Sequence, residues 1–281
     1  MFKTVGNRVW AFDAEWVPDP QAGRLLYDIP AQASDREVIE EMWKQGGANE
    51  ENPTPYLKTI LCRLVSISMV ERKVLPNNEV ALSLLSLPKD ITDSSQIVEE
   101  HIISTFLQAI GKHKPQLVGF NSGNADLRIL IQRGIVNGIS APSFCERPNK
   151  PWEGVDYFAK GTEAHVDLKE IVAGWGQSSF SLNEIAKLSG IPGKLGTDGE
   201  QVAELWLAGK LKEIVDYNEC DALTTYLVWL RTAYFGGHFT TEEYTAECQK
   251  VRELIELLIG SPQHAHLKAF LKEWDRLRRP Q

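Results

Sequence analysis

The stretch of sequence that decides the fold is residues 213–231, EIVDYNECDALTTYLVWLR. Apolar side chains recur in it at helical spacing, which predicts a long helix with one buried side. These side chains are Leu223, Tyr226, Leu227 and Leu230. Tyr217 and Asp221 lie four residues apart and therefore share one face of that helix, about one turn apart. The pair could point into a cleft, or it could be a surface Asp beside a half-buried Tyr, and residues elsewhere must decide.

Composition and charge limit the class of protein. The 281 residues are 43% hydrophobic and 24% charged, which is ordinary for a globular chain with a proper core. This length allows one large domain or two modest ones. The formal net charge of −8 disfavours broad, sequence-independent binding to a phosphate backbone. It does not exclude a nuclease, because clustered acidic residues are what divalent metals need.

The cysteines and the hydropathy pattern predict the compartment. Four cysteines lie far apart with no CxxC pair, so neither a zinc ribbon nor a redox motif is predicted. We interpret them as reduced core thiols of an intracellular protein. The first residues, MFKTVGNRVWAFD, lack the apolar core of a signal peptide, and no run approaches the roughly 18 apolar residues of a membrane span. We therefore expect a cytoplasmic protein without a membrane partner.

A first strand is predicted at residues 8–16, RVWAFDAEW. Because side chains alternate along a strand, Asp13 and Glu15 face the same way. Two carboxylates on one side of a mostly apolar strand are costly unless they meet solvent, a partner or a cation. A strand end emerging into water would satisfy them as well as a site would.

Further elements follow from hydrophobic periodicity. Strands are predicted at 61–70, 80–87 and 116–121, and helices at 95–112 and 125–134. Asp126 falls in the first turn of the last helix, with Ser122 or Asn124 as its cap. That turn follows the carboxyl end of a strand, where sites gather in open α/β sheets, although a first-turn Asp also stabilises a helix dipole.

Residues 18–58 are interpreted as an insertion beside the first strand that lies over the cleft. DREVIEEMWKQ within it predicts a short helix, with Ser34 as the cap and Glu37 three residues on. GGANEENPTP is typical of a loop.

The second half of the chain is predicted to be mainly helical after an irregular segment at 142–160. Residues 165–175 begin as a strand and pass into a helix. Capping boxes at Ser181 and Thr197 open two helices. Between them, the glycine-rich loop GIPGKLG carries Lys194 but lacks the spacing of a Walker P-loop. This loop is either a simple connector or a rigid turn whose cation contacts a phosphate.

Residues 236–281 are predicted to form a helical extension packed on the same domain. The final segment carries apolar residues on one side and has several basic residues: Lys268, Lys272, Arg276, Arg278 and Arg279. These charges are either a solvated face or a rim that attracts nucleic acid.

Four carboxylates stand out together: Asp13, Glu15, Asp126 and Asp221. Phosphodiester hydrolysis needs charge stabilised on both the attacking and the leaving oxygen, which two divalent cations held by carboxylates provide. A further group should orient or deprotonate the attacking water. Tyr217, one turn before Asp221, fits that role.

Three stretches carry a family resemblance. AFDAEW, GFNSGNADLRIL and YNECDALTTYLVWLR resemble the three motifs of the DEDD superfamily of 3′–5′ exonucleases. In the histidine branch a His lies five residues before the last Asp, where this chain has Asp216. In the tyrosine branch, called DEDDy, a Tyr lies four residues before it, where this chain has Tyr217. The chain therefore resembles the tyrosine branch, which includes ribonuclease D and the proofreading domains of family-B DNA polymerases.

Within that branch the chain looks most similar to the stand-alone predicted exonucleases related to the polymerase-B exonuclease domain. The stretches HVDLKEIV, SLNEIAKLSGIPGK and HLKAFLKEWDRL add to the resemblance, and residues 18–55 fit least well. One departure is Ala125, where the family usually has Phe. The resemblance implies a ribonuclease-H-like α/β fold, with a mixed sheet flanked by helices and an exonuclease domain over residues 1–235.

The resemblance also implies the site. The four carboxylates would bind two divalent ions, Mg²⁺ or Mn²⁺, and Tyr217 would position the nucleophilic water. Asn121 and the backbone of Trp16 would hold the 3′-terminal nucleotide, and Lys194 is a candidate phosphate contact. Phe120, Trp16 and Trp175 are candidate stacking surfaces for a base, unless they belong to the core.

The implied activity is release of nucleoside monophosphates from the 3′ end of single-stranded nucleic acid, with DNA favoured over RNA by family analogy alone. One alternative is an exoribonuclease of ribonuclease D type. Another is a nuclease-like module that binds nucleic acid or a protein without cleaving, which the complete acidic set disfavours. A structural zinc protein is disfavoured because the sequence lacks paired Cys and His residues.

Overall fold

The structure, a computed structural model, describes residues 1–150, 153–159, 161–173, 180–196 and 199–278. The predicted capping box at Thr197, the candidate stacking residue Trp175 and the basic residue Arg279 lie outside these ranges.

A five-stranded mixed sheet forms the centre of the molecule. Its strands are β1 (Arg8–Pro18), β2 (Cys62–Val74), β3 (Val80–Leu87), β4 (Gln116–Gly119) and β5 (His165–Asp167). The spatial order is β3-β2-β1-β4-β5, so β1 is the middle strand. It pairs antiparallel with β2 and parallel with β4. With helices on both faces, this is the ribonuclease-H-like α/β architecture, and the predicted fold class is confirmed.

Helices surround the sheet and continue to the end of the chain. They are α1 (Pro20–Leu26), α2 (Asp35–Gln45), α3 (Glu99–His113), α4 (Asp126–Val136), α5 (Pro142–Cys145), α6 (Leu168–Ala173), α7 (Leu182–Leu188), α8 (Val202–Leu207), α9 (Leu211–Phe235), α10 (Thr241–Leu258) and α11 (Leu267–Leu277). No helix within the described ranges is long and apolar enough to cross a membrane. The four cysteines are all free thiols.

Alternation along β1 gives the sheet two different buried faces. Trp10, Phe12 and Ala14 pack with α3 and α4 in one core cluster. Val9 and Ala11 face the other way and pack with α9 and the C-terminal helices. Asp13 and Glu15 continue the second row, so the strand directs its carboxylates toward α9.

The predicted C-terminal extension packs on this second face. Val251, Phe270 and Trp274 share a buried cluster with α9. Arg72 of β2 makes two hydrogen bonds to Glu247 of α10, at 2.7 and 3.1 Å, and both side chains are buried. The extension is therefore fixed to the sheet by apolar packing and by a paired buried charge. The division at residue 235 stays a prediction.

Two predicted capping boxes are confirmed, whereas the predicted caps of α4 are wrong because both side chains bond to other residues. Ser34 and Ser181 form the predicted capping boxes. The predicted caps of α4 are wrong: the N-cap is Ala125, without a side-chain hydrogen bond. Ser122 Oγ instead lies 2.8 Å from His165 Nε2 of β5. Asn124 accepts a hydrogen bond from Arg128.

Other elements also differ from their predicted bounds: β1 runs two residues beyond the predicted end at 16, and β2 is Cys62–Val74 instead of 61–70. The helix predicted from residue 95 begins at Glu99, because the side chains of Asp90 and Asp93 hold the preceding residues in turns. The strand predicted to reach residue 121 ends at Gly119, since Asn121 takes a positive φ of 62°. The insertion contains α1 as well as the predicted α2, because Asp19 caps a helix that begins at Pro20.

Candidate active site

Two carboxylates of the candidate site come from β1. Asp13 is half-buried, and Glu15 is 9% exposed. They pair in register with Ser68 and Ser66 of β2, and the register shifts between Glu15 and Trp16. An irregularity of this kind bends a strand locally and redirects the side chains beside it.

Helix α9 crosses the same face of the sheet and brings the third carboxylate. Asp221 lies one turn beyond Tyr217, and both line the cleft with Asp13 and Glu15. One carboxylate oxygen each from Asp13, Glu15 and Asp221 lies within 4.8 Å of the others. The structure therefore brings together the strand pair and the helix pair that the sequence singled out. We call Asp13, Glu15 and Asp221 the cleft trio.

The fourth carboxylate, Asp126, lines the same cleft at the start of α4. Its Oδ1 accepts a hydrogen bond from the backbone N–H of Ala14 at 2.9 Å, and its side chain is buried. This bond ties α4 to β1 between the two strand carboxylates. Asp126 is not part of the compact trio, but its charge strongly affects Asp13.

Burial and mutual repulsion dominate the electrostatics of the cleft. Burial, followed by the charges of Asp126, Glu15 and Asp221, raises the pKa of Asp13 well above its usual range. Burial and the charge of Asp221 raise the pKa of Glu15 well above its usual range, although Lys194 opposes the shift. Burial raises the pKa of Asp126 to about 7. The fold therefore concentrates negative charge that is unfavourable until protons or cations neutralise it.

The donor set fits hard divalent cations. All four acidic side chains offer only carboxylate oxygens, which are the ligands that Mg²⁺ and Mn²⁺ prefer. Three of them converge within reach of one ion, and the raised pKa values report the uncompensated charge that such an ion would neutralise. The candidate cation site is thus consistent with the chemistry of its residues.

Tyr217 is a phenol that keeps its proton. It is 9% exposed, and burial followed by the charges of Asp221, Glu15 and Asp13 raises its pKa well above its usual range. It also makes a hydrogen bond with Asp221. Because the phenol keeps its proton, its hydroxyl can orient a neighbouring oxygen by hydrogen bonding but is not available as a phenolate to deprotonate it.

The cleft has a volume of about 250 Å³ and a second wall that comes from the insertion. This wall consists of Trp43 from α2 and of four residues from the loop before β2: Thr54, Pro55, Tyr56 and Leu57. Tyr56 is 81% exposed at this wall. Residues from the stretch that we interpret as an insertion therefore lie beside the acidic residues and narrow the space around them.

Three of the four predicted substrate-binding residues line the cleft, and the fourth does not. Trp16, Phe120 and Lys194 all line the cleft. Phe120 also packs edge-on against Phe180, with ring centroids 5.6 Å apart, and touches the core. Asn121 does not line the cleft. The loop of Lys194 is held by its backbone N–H, which donates to Asn183 Oδ1 at 3.0 Å.

Two positioning residues were missed in the sequence. Asn218 donates to Asp13 Oδ2 at 2.7 Å and accepts from Ser66 Oγ at 2.9 Å, so α9, β1 and β2 are joined beneath the trio. In the sequence, only its position next to Tyr217 could have indicated that Asn218 belongs to the site. Asp167 accepts from the backbone N–H groups of Asn121 and Gly123 at 2.8 and 3.0 Å, which fixes the turn leading to Asp126.

Comparison with known proteins agrees with this geometry. No curated protein showed significant similarity to the chain. The profile of a family described as "Predicted 3'-5' exonuclease related to the exonuclease domain of PolB" matches residues 54–274. The match includes Asp126, Tyr217 and Asp221 but begins after β1, so the fold is what adds Asp13 and Glu15 to them. The chain belongs to this family of predicted 3′–5′ exonucleases.

Proposed function

We propose that the protein is a metal-dependent exonuclease that removes nucleoside monophosphates from the 3′ end of single-stranded DNA. The observation that carries the proposal is the cleft trio, which shares one cleft with Asp126 and Tyr217. Family membership supports the direction of hydrolysis. The four free thiols support a reducing, cytoplasmic location.

The four acidic residues are proposed to hold two divalent cations, Mg²⁺ or Mn²⁺. The cleft trio supplies three oxygens that lie close together, and Asp126 supplies a further ligand from the start of α4. When bound, such cations stabilise the negative charge on the attacking and leaving oxygens of phosphodiester hydrolysis. The protein contributes a rigid carboxylate frame, in which Asn218 orients Asp13 and the Ala14 N–H orients Asp126.

Tyr217 is proposed to orient the attacking water. The new bond joins the water oxygen to phosphorus, and the bond that breaks joins phosphorus to the 3′ oxygen of the preceding nucleotide. Because burial keeps the phenol protonated, Tyr217 acts by hydrogen bonding. The proton that the water loses passes to solvent, and the departing 3′ oxygen takes up a proton from solvent. Orientation of a nucleophile contributes to rate without changing ground-state affinity.

The shape of the cleft supports a single-stranded terminus as the substrate. The cleft is walled by the insertion on one side and by the trio on the other, and we infer that one unpaired nucleotide enters between these walls. Trp16 and Phe120 offer aromatic surfaces for its base. Lys194 lines the cleft and is proposed to contact a phosphate, in a chain whose net charge is −8.

A gel time course tests this proposal. Single-stranded DNA and RNA of the same sequence, labelled at the 5′ end, are incubated with wild type or Asp221→Asn in Mg²⁺, Mn²⁺ or EDTA. We expect a descending ladder on DNA that requires metal and is lost in the variant. A ladder on RNA alone would make the protein an exoribonuclease of ribonuclease D type. Binding without any ladder would make it a non-cleaving module.

A further inference from the structure

One aromatic side chain of the cleft differs from the others in its exposure. Among the described lining residues, Trp43 and Tyr217 are buried, and Trp16 and Phe120 are half-buried against core clusters. Tyr56, from the loop before β2, lines the same cleft but is 81% exposed. Packing in the core therefore does not account for the position of Tyr56, whereas a ligand that enters the cleft would cover its ring.

The loop holds Tyr56 in place through its two neighbours in sequence. Pro55 is buried, and Leu57 packs against the buried residues of two core clusters. Leu57 also lies close to Gly46 at the end of α2, where an added Cβ would come within 2.5 Å of Leu57 Cδ2. Because Pro55 has a restricted φ and both neighbours are packed, the backbone at Tyr56 is held while its side chain meets solvent. A ring that is fixed in advance loses little conformational entropy when it stacks on a ligand.

The elements on both sides of this ring are also fixed. Trp43 of α2 is buried in one cluster with Tyr217 of α9, so the insertion packs directly on the helix that carries the site. The hydroxyl end of Tyr56 approaches the turn before α8, since a Cβ added at Gly199 would lie 3.9 Å from it. Gly199 lines the cleft as well. The side chain of Tyr56 therefore extends from the insertion toward the turn before α8.

Charge gives the cleft little attraction for a phosphate backbone. Within the described part of the chain, Lys194 is the one basic residue that lines the cleft, beside the carboxylates of Asp13, Glu15, Asp126 and Asp221. The whole chain carries a net charge of −8. A single strand can gain affinity instead by stacking its bases on aromatic rings, a contact that needs no basic side chain and tolerates every base.

We propose that Tyr56 is a stacking surface for an unpaired base near the 3′ end of the substrate strand, an assignment that rests on the proposed function. The contact supplies much of the affinity for single-stranded DNA. Because every base has an aromatic face, Tyr56 selects for an accessible base and not for a sequence. A base inside a duplex has both faces covered by its neighbours, so the contact favours ends whose bases are unstacked.

The test measures binding of fluorescent single-stranded DNA to the full chain with Asp221→Asn, which should leave the ligand intact. In this background Tyr56→Ala should weaken binding by about 5- to 100-fold, the range of base–aromatic stacking. Tyr56→Phe keeps the ring and should bind like its parent. Phe235→Ala is the matched control, because Phe235 is 82% exposed at the end of α9 and does not line the cleft. Tyr56→Ala should leave the slope of log Kd against log salt unchanged, since a ring releases no counterions.

Removal of a base from the ligand decides whether the contact is stacking. Strands with an abasic site at each of the last few nucleotides in turn are compared with the intact strand. At the position that meets Tyr56, the abasic strand should bind the parent and Tyr56→Ala proteins equally. The proposal is overturned if Tyr56→Ala binds the intact strand as tightly as its parent, or if it loses the same affinity for the intact strand and for every abasic strand.

The same measurements separate this proposal from the proposed function. If the wild-type chain neither binds nor cleaves single-stranded DNA, the proposed function fails and the role of Tyr56 fails with it. If the wild-type chain cleaves single-stranded DNA and Tyr56→Ala binds it normally, only the role of Tyr56 fails.

Discussion

Two clusters of carboxylates lie beside the central strand, and they differ in how their negative charge is balanced. In the first, Arg133 of α4 binds Asp19, just past the end of β1, and Glu99 of α3, each at 2.7 Å. Their side chains are at most 7% exposed. The backbone N–H of Leu64 and the amide of Asn137 also donate to Glu99. This cluster, which we call the Arg133 cluster, carries its own cation and satisfies its own hydrogen bonds.

Two members of the cleft trio, Asp13 and Glu15, lie a few residues earlier on β1, and the trio lacks that balance. Asp13, Glu15 and Asp221 repel one another, and Lys194 at the edge of the cleft does not prevent the pKa values of Asp13 and Glu15 from remaining raised. Buried like charges destabilise a fold unless something external neutralises them. The charge of the Arg133 cluster is therefore balanced within the fold, and we propose that the trio is balanced by cations that bind from solvent.

The largest expected effect is on catalysis at the trio. Asp221→Asn should lower exonuclease activity by roughly a thousandfold, because several kcal/mol of transition-state charge stabilisation are lost. The unfolding free energy should stay the same or rise, since a repulsive charge is removed. Initial rates and urea unfolding check both statements. Asp275→Asn, which is 59% exposed on α11, is the matched control and should retain full activity. An active Asp221→Asn enzyme would remove Asp221 from the site.

Mutation of the Arg133 cluster should lower stability and leave catalysis unchanged, which is the opposite of the result expected at the trio. Arg133→Met should lower the unfolding free energy by about 3–5 kcal/mol, because two buried carboxylates lose their partner. Turnover per folded molecule should be unchanged. Arg276→Met removes an exposed partner of Glu273 and should leave the unfolding free energy nearly unchanged. A fully stable Arg133→Met variant would contradict the structural role of this cluster.

Tyr217→Phe sharpens the role of the phenol within the cleft. The variant keeps the ring but loses the hydroxyl, so kcat should fall by about 10- to 100-fold, the equivalent of one or two hydrogen bonds. KM and the affinity for Mn²⁺ should change little, because the carboxylates remain. Steady-state kinetics and Mn²⁺ titration separate these quantities. Unchanged turnover would show that another group orients the water.

Asn218→Ala tests the support beneath the trio. Asp13 would lose the amide that donates to it at 2.7 Å, so kcat should fall by roughly tenfold with little change in KM. Asn218→Gln has the same donor on a longer side chain and should recover little, because the site needs this exact reach between Ser66 and Asp13. Equal activity of all three proteins would make Asn218 a core residue only.

The pH dependence of stability should report the acidic residues of the cleft in the metal-free protein. Carboxyl groups with a raised folded-state pKa stabilise the fold most below their unfolded pKa, and this stability is lost as pH rises through the folded pKa. Because burial raises the pKa of Asp126 from 3.8 to about 7, the metal-free protein should become less stable as pH rises from about 4 to about 7. Asp13→Asn combined with Asp126→Asn should flatten that dependence, as thermal unfolding in EDTA would reveal.

Much of the fold followed from local periodicity. Period-two alternation placed Asp13 and Glu15 on one side of β1, and the 3.6-residue period placed Tyr217 and Asp221 on one face of α9. These relations depend on neighbours in sequence, so the sequence contains them. The mixed sheet flanked by helices confirms the predicted architecture, and the profile match confirms the predicted family.

What the sequence could not provide depends on partners far apart along the chain. Ser122 was a reasonable cap for α4, but His165 of β5 engages its hydroxyl. Asp167 fixes the turn before Asp126 from 46 residues beyond Asn121. Asn218 gains its importance only when β1 and β2 lie beneath it. Each of these contacts exists only after the sheet has brought its strands together.

The most direct test is a Mn²⁺ titration at pH 8, with the unfolding midpoint and exonuclease rate on single-stranded DNA measured in parallel. Wild type is compared with the chain that carries Asp13→Asn and Asp221→Asn. We predict that Mn²⁺ raises the wild-type midpoint and switches on hydrolysis over the same concentration range, and that the double variant shows neither response. Hydrolysis that needs no divalent cation, or that persists in the double variant, would contradict the assignment of the cleft trio as the metal-dependent active site.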